Sequence, residues 1–265
     1  MGTKRYLNLL RISLLFLSPL FGYSQKWEKV KSWQVNKQPT AYSVDYQNNI
    51  YIGFSDGGLT KYDSEGKLLE NFSLSNASSI ALIDVQNNLK PFLFYFDNQQ
   101  ITILDRFSTV PKNYFLADFD VQLGMMACPA PDGNFWVVEN NPQRLKKISP
   151  LRKSTVLEVQ LQLGDSINKM QAYQNLLFIS HTNGLHVLDQ FGGKIYSVDL
   201  LGTTGFQLIG NKVLVFSKKK ITRLNFTGEV ETELYKPELS EGTLMVKESF
   251  LFIKDRTINF YNPID

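Results

Sequence analysis

Residues 45–66 read DYQNNIYIGFSDGGLTKYDSEG. Polar turn-formers from Asp45 to Asn49 precede Ile50, Tyr51 and Ile52, a run of β-branched and aromatic residues that favours a strand. Asp56-Gly57-Gly58 is a hairpin signal, because glycine reaches the positive φ values that tight turns between antiparallel strands require. The chain then returns through Leu59 and Tyr62 and breaks again at Asp63 and Gly66. Two antiparallel strands and three turns fit within 22 residues.

The same phrases recur along the chain. The ending, an apolar residue, a second apolar residue three places on and a polar turn-former, occurs at Leu59/Tyr62/Asp63, Ile101/Leu104/Asp105 and Leu145/Ile148/Ser149. It occurs again at Leu185/Leu188/Asp189, Ile221/Leu224/Asn225 and Ile258/Tyr261/Asn262. About a dozen residues before each copy stands a polar turn with a β-rich run behind it, beginning at Asp45, Asp84, Asp132, Asn175, Gly210 and Glu248. A period near 40 residues is that of a four-stranded propeller blade. Six periods predict an all-β, six-bladed β-propeller in which each blade runs from an inner strand to an outer one.

The sixth repeat ends at Asp265, directly after its third strand, while Trp27 to Val35 precedes the first inner strand as a spare. Pairing the two predicts that the N-terminal strand closes the last blade, which removes an open sheet edge. No part of the chain after the leader keeps helical periodicity beyond about two turns, and no linker divides it. Residues 25–265 are therefore expected to form one domain.

The segment from Asp45 to Leu59, ending in Lys61-Tyr62-Asp63, resembles NHL-type and YVTN-type propeller repeats, and Asp132 to Ile148 is similar. The resemblance implies a propeller that binds proteins, glycans or nucleic acids. A minority of similar six-bladed propellers are metal-dependent lactonases or lyases, so fold alone ranks functions without choosing one.

Residues 1–24 have the parts of a secretory signal: Lys4, Arg5 and Arg11, an apolar run from Ile12 to Phe21, and small residues at Gly22 and Ser24. The apolar run is shorter than the ~20 residues that span a bilayer. An exported, periplasmic or extracellular product of a bacterial envelope is expected, monomeric by itself and with no membrane span after cleavage. Cys128, the single cysteine, excludes an internal disulfide and a lipid anchor at the cleavage site. The leader removes three bases and no acids from a total of 28 basic and 25 acidic side chains, so the remainder is neutral. Neutrality and export both argue against nucleic-acid binding.

Local motifs for chemistry are sparse. Asp45, Asp84 and Asp132, like Asp63, Asp105 and Asp189, recur at equivalent turns and are read as caps of the backbone. His181 and His186 flank one hairpin without a third ligand in the local sequence. Cys128, between Ala127 and Pro129, reads as a buried thiol. No nucleophile elbow or phosphate loop is present. No catalytic residue, metal ligand or cofactor is assigned.

Hairpins between second and third strands share one propeller face with the loops that lead into each inner strand. Loop-borne residues on a rigid scaffold are the expected binding surface. In this chain they are Asp56; Asp97 and Asn98; Glu139, Asn140 and Arg144; His181; Lys218 and Lys219; and Asp255 and Arg256. Tyr114 is added from the inter-blade loop expected around Pro111 to Leu123. A non-enzymatic module that binds a protein partner, as a scaffold or accessory subunit, is the leading expectation. A divalent-cation-dependent, lactonase-like hydrolase or lyase with its site in the channel is the alternative, and glycan binding a third class.

Overall fold

The computed structural model describes residues 25–73, 78–105, 111–163 and 166–264. Strand β1 (Lys26–Gln34) comes first. Blade 1 follows as β2 (Pro39–Val44), β3 (Ile50–Phe54), β4 (Leu59–Tyr62) and β5 (Leu68–Phe72). Blade 2 is β6 (Ile80–Asp84), β7 (Phe92–Tyr95), β8 (Gln100–Ile103) and β9 (Lys112–Phe115). A 3-10 turn at Leu116–Phe119 leads to blade 3: β10 (Gly124–Pro129), β11 (Phe135–Glu139), β12 (Arg144–Ser149) and β13 (Ser154–Gln160). Blade 4 is β14 (Ile167–Tyr173), β15 (Leu176–His181), β16 (Gly184–Asp189) and β17 (Lys194–Asp199). Blade 5 is β18 (Thr203–Ile209), β19 (Lys212–Ser217), β20 (Lys220–Asn225) and β21 (Val230–Tyr235). Blade 6 is β22 (Gly242–Val246), β23 (Ser249–Lys254) and β24 (Thr257–Ile264), completed by β1 in the order β1-β24-β23-β22. The six-bladed, four-stranded propeller read from the repeat is the fold observed, including the N-terminal strand in the last blade. The leader expected at residues 1–24 lies outside the described residues.

The recurrent aspartates do what their position in the turn requires. Asp45 Oδ1 accepts the backbone N–H groups of Gln47 and Asn49, both at 2.9 Å. Asp63, Asp189 and Asn225 repeat the motif after their third strands, each side-chain oxygen taking the N–H groups two and four residues on. Each cap satisfies donors that a tight turn leaves open, so Asp or Asn returns at several of the equivalent turns. The glycine of the outer turn also has a packing reason in blade 1. Gly66 sits at φ +86°, and a Cβ there would lie 2.9 Å from the Trp33 ring.

The second strands β3, β7 and β11 are buried at every residue, and β15, β19 and β23 at all but their ends. They are continuous apolar runs because neighbouring blades cover both faces. Outer strands alternate burial and exposure. A bulge interrupts the pairing of five of the six inner strands near their start, as at Ile167/Lys169 and Thr203/Gly205. Bulges raise local twist, and here they re-aim the residues that enter the channel.

Closure rests on side chains as well as on the backbone ladder. Trp27 donates its indole N–H to the Tyr235 carbonyl at 2.7 Å and sets its ring edge-on to Phe250 and Phe252. Trp33 stacks on Phe260 at 4.9 Å between ring centroids. Substituting Trp27→Ala removes the larger contact from a half-buried site and is expected to lower stability by about 2–3 kcal/mol, below the cost at a fully buried tryptophan. Urea unfolding followed by fluorescence checks it, and an unchanged midpoint contradicts the closure as described.

Candidate functional site

The chain direction puts the second-to-third-strand hairpins on one face, and most of the predicted contact residues are there and exposed. Asp56, Asp97, Asn140, Lys218, Lys219, Asp255 and Arg256 are exposed, while Asn98 and Arg144 are half-buried. Asp56 caps Gly58 N–H at 3.1 Å and pairs with Lys37, whose hydrogen bond holds its carboxyl below the usual carboxylate range. Arg144 pairs with Glu158 on the outer strand. Lys219 accepts the Lys236 backbone N–H at 2.9 Å, which pins the blade 5 hairpin to the loop leading into β22.

Three of the predicted residues stand elsewhere. Glu139 is buried, because residues 116–123 fold over the end of β11. Its carboxylate meets Lys146 at 2.8 Å and accepts the Gln122 N–H at 2.6 Å, while Lys146 also donates to the Asp120 carbonyl at 2.8 Å. His181 is also buried, 4.8 Å from the His186 ring between centroids, and its Nδ1 accepts the Asn183 N–H at 3.4 Å. Burial, then the neighbouring His181, lowers the His186 pKa. Tyr114 belongs to β9 and not to a loop, because its backbone pairs with Ile101. Its ring packs against Phe135 at 5.2 Å in a groove between blades 2 and 3. That groove, about 1140 Å³, is lined by turns of the opposite face, including those at Asn87 and Gly133.

The channel carries residues that sequence reading passed over. All six inner strands line a chamber of about 310 Å³ toward the hairpin face. A second chamber of about 380 Å³ lies toward the other face, and Lys169 lines both. Burial lowers the Lys169 amine to about 8, against the opposing effect of Asp84. Asp84 in turn is raised by burial. Cys128, the buried thiol expected in an inner strand, is in β10, and burial pushes its pKa well up, which leaves it unreactive. At the chamber rim Lys236 donates to Thr243 at 2.6 Å and Ser240 at 3.1 Å between the Phe216 and Phe252 rings. Desolvation there brings the amine down to about 7. Among the described residues no three His, Cys, Asp or Glu side chains converge to hold a metal ion.

Two stability measurements follow from these contacts. Glu139→Ala leaves the buried Lys146 ammonium with only the longer contact to Glu158 at 3.9 Å among carboxylates and is expected to cost about 3 kcal/mol by urea titration; a neutral result means the pair is not buried as described. Lys236 binds a proton more weakly folded than unfolded, so between about pH 7 and its ordinary 10.5 the unfolded chain carries the extra proton and stability rises with pH. Lys236→Met is expected to raise the melting temperature at pH 7 and flatten that rise. Identical pH slopes for the two proteins count against the buried amine.

No protein-family profile matches the chain, and no curated protein matches it. Solved structures do. A catalytically inactive histidine-to-alanine variant of virginiamycin B lyase from Staphylococcus aureus, with quinupristin, superposes with a TM-score of 0.66 at 14% identity. The match covers 90% of this chain and 100% of that one. The selenomethionine form of the same lyase gives 0.62 at the same identity and coverage. BamB from Moraxella catarrhalis reaches 0.49 at 12% identity, over 89% of this chain and 98% of that one. At such identities the likeness to the lyase is one of fold: this chain is a six-bladed propeller.

Proposed function

We propose that this chain is an exported binding propeller that docks another protein on its hairpin face, as a scaffold or accessory subunit in a bacterial envelope. One observation carries the reading: the two faces use their polar residues differently. Turns of one face repeat Asp or Asn as backbone caps, at Asp45, Asp63, Asp84, Asp189 and Asn225. The hairpins of the other break the repeat, presenting acid at Asp56 and Asp97, amide at Asn140, base at Lys218 and Lys219 and a mixed pair at Asp255 and Arg256. Variation laid over a fixed scaffold is how loops acquire specificity. A rim of mixed sign suits a partner of complementary charge, since such groups steer encounter and fix register. Export is supported by the three-part leader in the sequence.

The cation-dependent hydrolase or lyase fits the channel less well. Its ligands would have to surround the axis, where Lys169 stands in both chambers and its ammonium repels a divalent ion.

Photo-crosslinking of the exported protein in cells tests the proposal, with the photoreactive residue at Lys218 or Asp97 and, as reference, at Glu65 on the opposite face. The expected result is one recurring crosslinked protein from the hairpin positions alone. Charge reversal at Lys218 and Lys219 together should reduce that product at least severalfold without lowering the melting temperature. Equal labelling from both faces, or none from the hairpins, overturns it.

A further inference from the structure

Strand β14 passes along the central channel, and alternate residues of a strand face the same side. Lys169 and Gln171 are such a pair, and both line the channel. Among the described residues the Lys169 ammonium has no hydrogen-bond or ion-pair partner; it lies 5.5 Å from the centroid of the Phe206 ring. Asp84 acts on it electrostatically but is occupied by Gln86, through the backbone N–H at 3.0 Å and the side-chain amide at 3.4 Å. Gln171 Oε1 is buried and unpartnered. Gln207, on the neighbouring inner strand β18, differs, because both ends of its amide are held by the Met245 backbone at 2.9 and 2.7 Å. One cation and one acceptor therefore stand open, side by side, in an enclosed space.

We infer that the channel is a binding site for a small organic acid bearing a hydroxyl or ammonium donor, its carboxylate on Lys169 and its donor on Gln171 Oε1. A desolvated ammonium without a partner favours an anion over a neutral sugar and excludes a cation. The acceptor lies two residues along the strand, a Cα spacing of roughly 6.5 Å, so the matching donor belongs on a small molecule of three to six carbons. The chambers, about 310 and 380 Å³, lie at the small end of ligand sites. Val44, Leu208 and Leu244 supply apolar wall for the carbon skeleton beside Lys169 and Gln171. The depressed Lys169 amine is consistent with this, because a bound carboxylate would replace the water that burial removed. This site is independent of docking on the hairpin face.

The test is calorimetric titration of the purified protein with L-malate, D-glucuronate and L-serine, with inorganic phosphate and glucose as references. Spectra of protein labelled at the lysine ε-carbon report on Lys169 directly. Saturable binding of at least one carboxylate that shifts the Lys169 signal is expected. Lys169→Met should weaken it about tenfold or more, the usual worth of a charge-assisted hydrogen bond, and Gln171→Leu severalfold. Both variants should melt no lower than the parent, because each removes an unpaired buried polar group. Any of four results overturns the proposal: no carboxylate binding at millimolar concentration, undiminished binding by Lys169→Met, phosphate binding as tightly as the best acid, or glucose doing so.

Discussion

The pairing of β1 with β24 is the constraint on which the rest depends. A propeller blade buries its faces only against two neighbours, so a ring open between blades 6 and 1 would expose both of those blades and the free edge of β24. The ladder from Lys26↔Ile264 to Gln34↔Thr257 closes it with the two ends of the chain. Trp33 and Val35 then join Ile50, Ile52, Leu244 and Phe260 in one core cluster that spans blades 1 and 6. Most other packing joins blades adjacent in sequence, whereas the seam between blades 6 and 1 spans the described chain. Its loop-closure entropy is offset by burying two tryptophans and a full strand ladder at once. The channel exists only while that closure holds, because its wall is the six inner strands.

Within the ring, local rules and functional freedom are divided between faces. Turns after first and third strands often need a capping oxygen, and where they do the chain supplies it from Asp or Asn. Hairpins are closed by their own backbone, as in Phe54 N–H to Gly58 O at 2.9 Å and Gln99 N–H to Phe96 O at 3.1 Å. Their tip side chains vary from blade to blade, a few also capping their own turn as Asp56 does for Gly58.

The same division explains which parts were legible in the sequence. Closure was readable because a sixth repeat short of one strand is matched by a spare strand at Trp27 to Val35, and turns and strands because each is fixed by residues adjacent in sequence and repeated along the chain. The exposed hairpin tips were readable for the same reason. Glu139 was not, since its burial depends on residues 116–123 folding over it, and an acid at a strand end ordinarily faces water. Tyr114 was misplaced because Pro111 and the polar Lys112 and Asn113 read as loop, yet the outer strand of a blade is solvated and tolerates them. Lys169 was missed for a subtler reason. Polar residues alternating along β14 look like a solvent face, and in a ring the inner strand has a second, enclosed face that polar side chains also occupy.

Lysines elsewhere in this protein show what is unusual about that enclosed face. Lys147 lies over Trp136 at 4.8 Å and ends on Asp132 at 2.6 Å, and Lys31 lies over Phe260 at 4.7 Å and ends on Glu65 at 2.9 Å. In both the aliphatic stem covers an aromatic and the charge finds a carboxylate. Lys169 and Lys236 have the aromatic without the carboxylate. Thr243, which binds Lys236, also lines the hairpin-side chamber, so both amines contribute positive potential to one small space. Burial makes both amines deprotonate more readily than a lysine in water. Lys147 and Lys31 are thus neutralised pairwise, whereas Lys169 has only the electrostatic effect of Asp84 against its desolvation and makes no direct ion pair. A desolvated amine of that kind is better relieved by a bound counter-charge than by the fold itself.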